Sequence, residues 1–410
     1  MTEPRDCTGL RVTRVHFPAL CHLTQLGFQF DLSQARQDPS FKYDNGYILQ
    51  RGDRAVASGW INNVSCQGDG VDLAVAAVGI VTTHPTERGQ GYGLRLMAEL
   101  LAGAQQEGYD LSLVFPWRED WYTRVGYTAI HSPYRRLDLD TLRQMAPRFP
   151  HPVRGFRADQ DGAAVAAIHR GFSGQYVGPL KRDYDSWPWG LDQKGSVLVA
   201  EAQGEVVAYL VGRPLNANHG TGPYGLKVRE FGCRPDQEAG LDALLCALVP
   251  WLAAAEFTAL YHEDLYPSSL PAVASPPPYQ DLALPSGEHY RAADQAMVQM
   301  YRLLNLRSLL RKLTPVWNRR LNRPGQCWQD IFTLENTSGA PQGPYTVRFV
   351  ASGAEITLGQ AEFLALFVLA ATDWSSLHPT ALPNCTDAEA EAMERLFPQR
   401  RFVYWDTDSF

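Results

Sequence analysis

Hydrophobic and polar residues alternate along the chain in patterns that predict a repeated order of helices and strands. Helical spacing of apolar residues and alternating or continuous apolar runs indicate, in the first 115 residues, a helix, three strands, a second helix and a fourth strand. The predicted elements are a helix at 17–26, strands at 46–50, 54–64 and 71–83, a helix at 93–106 and a strand at 111–115. The polar turn at 51–53 predicts that the first two strands pair as a hairpin.

The second part of the chain repeats this order, which predicts duplication of one architecture. Its predicted elements are a helix at 159–172, strands at 196–202, 206–212 and 226–233, a helix at 237–255 and a strand at 258–262. A Pro- and Ser-rich passage at 266–278 then predicts a surface connector without helix or strand.

A third part follows from about residue 296. Its predicted elements are strands at 297–303, 328–334, 345–350 and 355–357, helices at 307–321 and 360–371, and a helix from Thr386 that begins with a capping box to Glu389. The 410 residues correspond to two or three domains at ~150 residues each. We therefore predict a mixed α+β fold with domains at residues 1–148, 149–292 and 293–410.

Charge and cysteine content narrow the class of protein. Lys and Arg total 37 against 44 Asp and Glu, a net charge of −7, which disfavours a nucleic-acid partner and suits a cationic substrate. The basic helix at 307–321 is interpreted as a solvated or intersubunit face.

The seven Cys form no CxxC pair and no cluster with His, so we expect reduced thiols, no metal and a cytoplasmic protein. The apolar run at 363–371 is about half of a membrane span, so no membrane partner is expected.

The most informative stretch follows the third predicted strand. Gly89, Gly91 and Gly93 stand at every second position and open a helix, directly after Arg88. Glycines permit a loop whose N–H groups face one point, and a helix N-terminus adds partial positive charge. These features predict a pyrophosphate site with a guanidinium beside it. A dinucleotide-binding fold is disfavoured, because the preceding strand is not N-terminal and no P-loop Lys follows. His84 is interpreted as an exposed loop residue.

Two motifs resemble those of a known family. Arg88-x-x-Gly91-x-Gly93 matches the acyl-CoA signature Q/R-x-x-G-x-G/A of GNAT-type N-acetyltransferases. The stretch from Trp121 to Tyr127, WYTRVGY, looks like the Y-x-R-F-G-Y stretch of the enhanced intracellular survival (Eis) type. Proteins of that type have an active acetyltransferase domain, a second acetyltransferase-like domain, a sterol-carrier-like domain and a chain that ends in phenylalanine. Here the last residue is Phe410, whereas Val125 replaces the usual phenylalanine of the motif.

The resemblance implies roles for individual residues. Tyr122 would be the general acid that protonates the departing coenzyme A thiolate, and the C-terminal carboxylate of Phe410 would be the general base. Tyr127 is interpreted as a core residue. Contacts to acetyl-CoA, a co-substrate, are implied for Val81, Thr82, Thr83, Arg88, Gly89, Gln90, Gly91, Tyr92, Gly93, Leu94, Trp117 and Arg118.

The second part lacks the features of a coenzyme site. Its corresponding turn reads Arg234-Pro235-Asp236-Gln237-Glu238, in which the proline has no N–H and the two carboxylates would repel a pyrophosphate. We therefore expect this domain to bind no coenzyme.

These observations predict an acetyl-CoA-dependent N-acetyltransferase that transfers the acetyl group directly within a ternary complex, because no cysteine lies at a motif position. The expected acceptor is an amine of an aminoglycoside, polyamine or lysine-like compound, and the resemblance implies a homo-oligomer, a hexamer. Two alternatives stay open. One is a non-catalytic acyl-CoA or lipid binding protein, with the third part as a lipid-binding element. The other is an interaction protein derived from an acetyltransferase that has lost its activity.

Overall fold

The computed structural model describes most of the chain. The described residues are 7–29, 31–33, 42–116, 118–130, 134–145, 149, 151–184, 191, 195–215, 225–254, 259–263, 273–275, 281–283, 289–291, 299–322, 325–336, 338–340, 342–369, 374, 385–398 and 400. They form two compact units, one that combines residues 7–130 with 299–398 and one within residues 134–291.

The elements follow one another in mixed α+β order. Those before residue 131 are β1 Thr8–Arg11, α1 Phe17–Phe28, β2 Gly46–Arg51, β3 Arg54–Gln67, β4 Asp72–Thr83, α2 Tyr92–Gln106, β5 Leu111–Val114, α3 Glu119–Thr123 and β6 Thr128–Ile130. Those of the second unit are β7 Tyr134–Asp138, α4 Leu139–Met145, β8 Val153–Gly155, α5 Ala158–Ser173, β9 Ser196–Ala202, β10 Glu205–Leu215, β11 Gly225–Cys233, α6 Glu238–Ala247, α7 Val249–Ala254, β12 Ala259–Glu263, β13 Val273–Ser275, β14 Asp281–Ala283 and β15 His289–Arg291. The remaining elements are β16 Gln299–Leu303, α8 Leu306–Leu321, β17 Phe332–Asn336, β18 Tyr345–Phe349, β19 Glu355–Leu358, α9 Gln360–Phe363 and α10 Asp387–Leu396.

The first unit contains a seven-stranded sheet in the order β1-β2-β3-β4-β5-β16-β6. Its β4–β5 pair is parallel and its other pairs are antiparallel. Strand β5 is buried at every position, which fits a central strand. Its neighbour β16 comes from the third part of the chain and lies between β5 and β6. The sheet of the first part is thus completed by a strand that follows the second part in sequence.

Helix α2 packs one face on this sheet. Leu96, Met97 and Leu100 are fully buried and share a core with Val56, Ala76 and other strand residues. Burial of each such leucine stabilises the fold by about 1.5–3 kcal/mol. Met97, Leu100 and the buried Leu101 belong to the helical pattern that predicts α2.

The second unit repeats the strand pattern. Its sheet has the order β13-β7-β12-β11-β10-β9-β8, with an antiparallel β9–β10 hairpin, an antiparallel β10–β11 pair and a parallel β11–β12 pair. The first sheet has the same arrangement in β2, β3, β4 and β5. The prediction that one architecture occurs twice is confirmed at the level of strand order, although the division into three domains stays a prediction.

Several predicted elements need correction. The helix predicted at 237–255 is two helices, α6 and α7, because Pro250 has no N–H to donate to the carbonyl of Cys246. Residues 328–330 form a 3₁₀ turn before β17, and α9 continues as a π-helix over Leu364–Val368. Part of the expected connector at 266–278 is strand β13, which pairs with β7. Strands β1 and β6 were not predicted, since each is four residues or fewer.

The basic helix α8 is anchored to the first part of the chain rather than wholly solvated. Lys312 contacts the fully buried Asp110 at 2.5 Å, and Arg320 contacts the buried Asp69 at 2.5 Å. A buried carboxylate without a partner is costly, and these two cations compensate the negative charges of Asp110 and Asp69. Arg307, Arg311 and Arg319 are exposed, as expected. The solvated-face interpretation therefore fails for Lys312 and Arg320.

Hydropathy adds one more finding. Within the described ranges, no helix is long and apolar enough to cross a membrane.

The capping box predicted at Thr386 is present and extends into a tertiary contact. Thr386 Oγ1 accepts a hydrogen bond from the Glu389 N–H at 3.2 Å, and the Glu389 carboxylate accepts one from the Thr386 N–H at 3.0 Å. The same carboxylate accepts hydrogen bonds from the N–H groups of Ala351 and Ser352, both at 3.0 Å. Burial raises the pKa of Glu389, but these hydrogen bonds outweigh it and lower the pKa from 4.5 to about 2.

We expect Glu389→Gln to destabilise the third part by about 1–3 kcal/mol, because a neutral amide accepts these hydrogen bonds less strongly. The native pKa lies below the ordinary value, so the advantage of the wild type should be complete above pH 4.5 and lost as the pH falls toward about 2. Thermal unfolding of both proteins across this pH range measures it. The control is Glu391→Gln on the same helix, whose exposed pair with Arg395 is worth less than about 0.5 kcal/mol. Equal losses in the two variants would contradict the prediction.

Candidate active site

Strand β4 pairs with β3 on one side and β5 on the other, but the two pairings end at different places. The parallel register with β5 ends at Val78 opposite Val114, whereas the register with β3 continues to Thr83. Between these points the β3 register shifts, and Ile80 has φ +46°, which is rare for a β-branched residue. The last residues of β4 therefore extend past the end of β5. Val81, Thr82 and Thr83, predicted to contact the coenzyme, lie in this segment.

The glycine loop joins this strand end to helix α2. A 3₁₀ turn, Pro85–Glu87, leads into it. Gly89 and Gly91 have φ of +80° and +84°, where an L side chain is strained, and Gly91 is the N-cap of α2. Arg88, Gly89 and Gln90 are exposed. The first N–H groups of α2 have no partner within the helix and carry its partial positive charge, so the loop suits an anion such as a pyrophosphate.

A buried carboxylate holds the loop from behind. Glu87 has 4% of its surface exposed and contacts Arg51 at 2.9 Å and Arg54 at 3.3 Å, the two ends of the β2–β3 turn. It also accepts a hydrogen bond from Gln90 Nε2 at 3.1 Å, while Arg51 donates to the Tyr92 hydroxyl at 2.9 Å. Gln90 and Tyr92 thus have side chains engaged in the loop's own support. Only their backbone amides remain as candidates for the coenzyme.

Nothing in the local pattern predicts Glu87 as a structural anchor. It reads as one more polar residue in a polar loop, and the turn at 51–53 reads as an ordinary hairpin turn. A pair of arginines flanking that turn is the one signal that could have suggested an ionic contact. His84 accepts a hydrogen bond from the Thr86 N–H at 3.3 Å, and its pKa is lowered by burial and by Arg54.

Gly93 brings the helix N-terminus close to the strand end. A Cβ at this position would lie 3.2 Å from Thr83 Oγ1 and 3.2 Å from Trp121 Cζ2. The Trp121 ring therefore lies beside both β4 and the first turn of α2. Trp121 also packs edge-on against Tyr122, with ring centroids 4.8 Å apart. One tryptophan thus connects the predicted coenzyme motif with the predicted acid.

Tyr122 lies on the short helix α3, after β5, and is 6% exposed. Its ring packs edge-on against Tyr127, with centroids 5.8 Å apart. Burial raises the pKa of Tyr122 to about 12, so the phenol keeps its proton at neutral pH. Within the described part of the chain, no group accepts a hydrogen bond from its hydroxyl. The side chain is therefore a proton donor not committed to a neighbouring residue.

The turn after Tyr122 is held by residues from the third part of the chain. The carbonyl of Val125 accepts a hydrogen bond from Arg302, and the carbonyl of Gly126 accepts one from Gln360 Nε2 at 2.8 Å. Gln360 Oε1 accepts in turn from the Leu303 N–H in β16 at 3.1 Å. Two partners more than 170 residues away in sequence, at separations of 177 and 234, thus fix this turn.

Tyr127 is confirmed as a core residue. It is 2% exposed, and its hydroxyl lies 2.6 Å from Ser112 Oγ, which donates to the Ala76 carbonyl at 2.9 Å. Burial raises its pKa well above the ordinary value. Its hydroxyl is satisfied inside the sheet.

Three further residues were predicted to belong to the site: Arg118, Trp117 and Phe410. Arg118 is exposed and contacts Asp120 at 2.5 Å, and this hydrogen-bonded pairing lowers the pKa of Asp120. Its guanidinium is therefore already engaged by a carboxylate. Trp117 and Phe410 lie outside the described residues, so their roles stay predictions.

The corresponding turn of the second unit differs from the glycine loop. Asp236 has φ +61°, Arg234 contacts Glu205 at 2.5 Å, and α6 begins with Glu238 in its first turn. An acidic first turn disfavours a bound anion. The absence of a coenzyme site in this unit stays a prediction. Among the residues that the structure describes, no group of three or more His, Cys, Asp or Glu could hold a metal ion.

We expect Gly93→Ala to lower the melting temperature and weaken acetyl-CoA binding. The added Cβ would lie 3.2 Å from Thr83 Oγ1 and from Trp121 Cζ2, so these packed side chains must shift by a few tenths of an ångström, at a cost of about 1–3 kcal/mol. The control is Gly171→Ala in α5, where a Cβ meets nothing within 4 Å and should stabilise the helix by up to about 1 kcal/mol. Thermal unfolding and coenzyme titration of both variants measure the effect. A Gly93→Ala protein as stable as the control would show that the close approach is absent.

Comparisons with known proteins agree with this geometry. Residues 11–130 match the family model for the acetyltransferase (GNAT) domain. This range ends with β6 and contains the glycine loop and Tyr122. A search of curated proteins found no match to the sequence.

Solved structures resemble the chain over nearly its whole length. A GCN5-related N-acetyltransferase from Kribbella flavida is 18% identical, with a TM-score of 0.60 over 99% of this chain and 98% of that one. A GCN5-related N-acetyltransferase from Anabaena variabilis is 12% identical, with a TM-score of 0.60 over 97% and 98%. Eis1 from Mycobacterium abscessus is 12% identical, with a TM-score of 0.59 over 99% and 100%. At these identities the likeness shows the fold, and together with the domain match it supports an N-acetyltransferase.

Proposed function

We propose that this protein transfers an acetyl group from acetyl-CoA to an amine of a cationic acceptor, directly and within a ternary complex. The observation that carries the proposal is the contact series from Thr83 through Gly93 and Trp121 to Tyr122. It brings a loop suited to a pyrophosphate close to a buried, protonated phenol. Acetyl-CoA would supply the activated acetyl group.

The binding roles follow from the loop and the strand end. The amides of residues 89–94 would hold the pyrophosphate, and exposed Arg88 would add a guanidinium beside it. The backbone of residues 81–83, beyond the end of β5, would hold the pantetheine arm and the thioester carbonyl by strand-like hydrogen bonds. The side chain of Arg118, paired with Asp120, would have to exchange partners to contribute.

Proton transfer would involve two groups. The acceptor amine forms a bond to the thioester carbon, and the carbon–sulfur bond breaks. Tyr122 donates its proton to the leaving sulfur, which would otherwise depart as a thiolate. The proton of the attacking amine passes to a base, which the resemblance assigns to the carboxylate of Phe410. No cysteine is required to carry the acetyl group.

The acceptor class is inferred from the charge of the chain. The net charge of −7 on the protein favours attraction of a cationic acceptor. Aminoglycosides, polyamines and lysine-like amines are all cationic. A cytoplasmic location, a hexameric assembly and a sterol-carrier-like third domain belong to the same proposal through the Eis-type resemblance.

The first experiment measures thiol release from acetyl-CoA with a panel of amines, for wild type, Tyr122→Phe and Tyr109→Phe. We expect acceptor-dependent release that falls about 10²-fold or more in Tyr122→Phe, because the leaving thiolate loses its acid. Tyr109→Phe removes a hydroxyl that lies two residues before β5 and donates to Asn63 outside the proposed site, so it should keep the wild-type rate. Tight coenzyme binding without release for any amine would instead favour the binding-protein alternative.

The same assay predicts a pH profile. Because the pKa of Tyr122 is raised to about 12, the phenol stays protonated throughout the neutral and moderately alkaline range. The rate should therefore rise with pH as the amine loses its proton, without a descending limb below pH ~10. A decline that begins near pH 8 in wild type would contradict an acid with this pKa.

Extension of the chain by a few residues beyond Phe410 tests the base. The extension removes the carboxylate from its position, so turnover should fall about 10²-fold or more while acetyl-CoA binding persists. The same residues added before Met1 serve as the control. Unchanged turnover in the C-terminally extended protein would exclude the terminal carboxylate as base.

A further inference from the structure

A cavity lies on the far side of the turn that follows Tyr122. Its volume is about 530 Å³, in the range of sites for small organic molecules. One wall is the outer side of α2, another is the turn after Tyr122, and the third comes from the third part of the chain. The lining residues are Ala98, Leu101, Ala102, Gln105, Thr123, Arg124, Val125, Gly126, Arg302, Leu304 and Gln342. None belongs to the strand end or to the glycine loop, so the cavity is separate from the candidate coenzyme site.

The charged side chains that are described in the cavity lining are both arginines. Among the described residues that line it, Arg302 and Arg124 carry charge and none is a carboxylate. Arg302 is half-buried, and burial lowers its pKa, against a smaller opposite effect of the Tyr127 phenol. A partly desolvated cation without a counter-charge is costly, so an anion that reached it would bind favourably.

Arg302 also has N–H groups to spare. One N–H of Nη1 donates a hydrogen bond to the Val125 carbonyl. With the Gln342 amide oriented so that its oxygen faces the guanidinium, this oxygen accepts from Nε at 2.9 Å and from Nη2 at 2.8 Å. A guanidinium has five N–H donors, and these contacts use three. The remaining two, on different nitrogens, can serve a planar carboxylate.

The rest of the lining is mixed, with the polar Gln105 and Thr123 beside the alanines of α2. Leu101 and Leu304 are only 3% and 1% exposed, so the apolar surface that meets water here is that of the exposed Ala98 and Ala102. An inorganic anion would leave this apolar surface in contact with water. A carboxylate with a hydrocarbon tail would cover it and gain about 0.8 kcal/mol for each buried methylene.

We propose that this cavity binds a small carboxylate with an apolar tail, with the carboxylate held by Arg302 and the tail against the exposed Ala98 and Ala102 of α2. This site shares no residue with the coenzyme motif, although Arg302 also holds the turn after Tyr122, and ligand binding to it can be measured without acetyl transfer.

Calorimetric titration of the full-length protein with hexanoate tests the proposal, with 1-hexanol as the neutral ligand of equal tail length. We expect hexanoate to bind and hexanol to bind at least tenfold more weakly. Ala102→Trp changes an exposed helix position and should fold normally while it fills the cavity, so it should lose hexanoate binding. Arg302→Gln should lose it too, whereas Arg319→Gln, an exposed arginine of α8 outside the cavity, should bind like wild type.

Each result that would contradict the proposal contradicts a different part of it. Hexanoate binding that survives in Ala102→Trp and Arg302→Gln, or that fails in wild type at millimolar concentration, would overturn the proposal. Hexanol binding as tight as hexanoate would overturn the role of Arg302. Saturating coenzyme A should leave hexanoate affinity unchanged. Competition between the two would show that the cavity is part of the coenzyme site, whether or not the protein is active in acetyl transfer.

Discussion

The backbone of β4 must satisfy its hydrogen-bonding groups, and after Val78 it has β3 but no longer β5 to do so. Unpaired backbone groups in a sheet are a ready template for an extended ligand. The bulge at Ile80 redirects the strand at this point, and the helix that follows begins with exposed N–H groups. Everything assigned to the coenzyme depends on this early end of one parallel pairing. A β5 two residues longer would occupy the same edge with protein.

The two sides of the site are supported in different ways. The glycine loop is held by charge, because Glu87 is buried between Arg51 and Arg54. The tyrosine turn is held by hydrogen bonds to its backbone carbonyls, one from Arg302 to Val125 and one from Gln360 to Gly126, and Gln360 also accepts from the Leu303 N–H. The loop thus depends on a buried carboxylate with two cationic partners, whereas the turn depends on side chains that donate to its backbone carbonyls.

Local patterns predicted most of the fold. The β2–β3 hairpin, α2 and the glycine loop depend on residues adjacent in sequence, whose periodicity and turn chemistry are visible without a structure. The insertion of β16 beside β5 could not be predicted, because apolar patterns show that a strand is buried but not which strand it joins. The partners of Val125 and Gly126 were missed for the same reason. Glu87 was missed because the amino-acid sequence does not distinguish a buried carboxylate from a solvated one.

The position of β16 has a consequence for synthesis of the chain. Strand β5 is buried at all four positions, yet its partner emerges from the ribosome only after the whole second part has been made. At ~5–20 residues per second, the interval from residue 130 to residue 303 is roughly 10–30 s. Throughout it, the nascent acetyltransferase-like sheet carries an open apolar edge beside β5. Folding of the first part is thus held back until translation of a later part, and chaperones that shield exposed strands have that long to act.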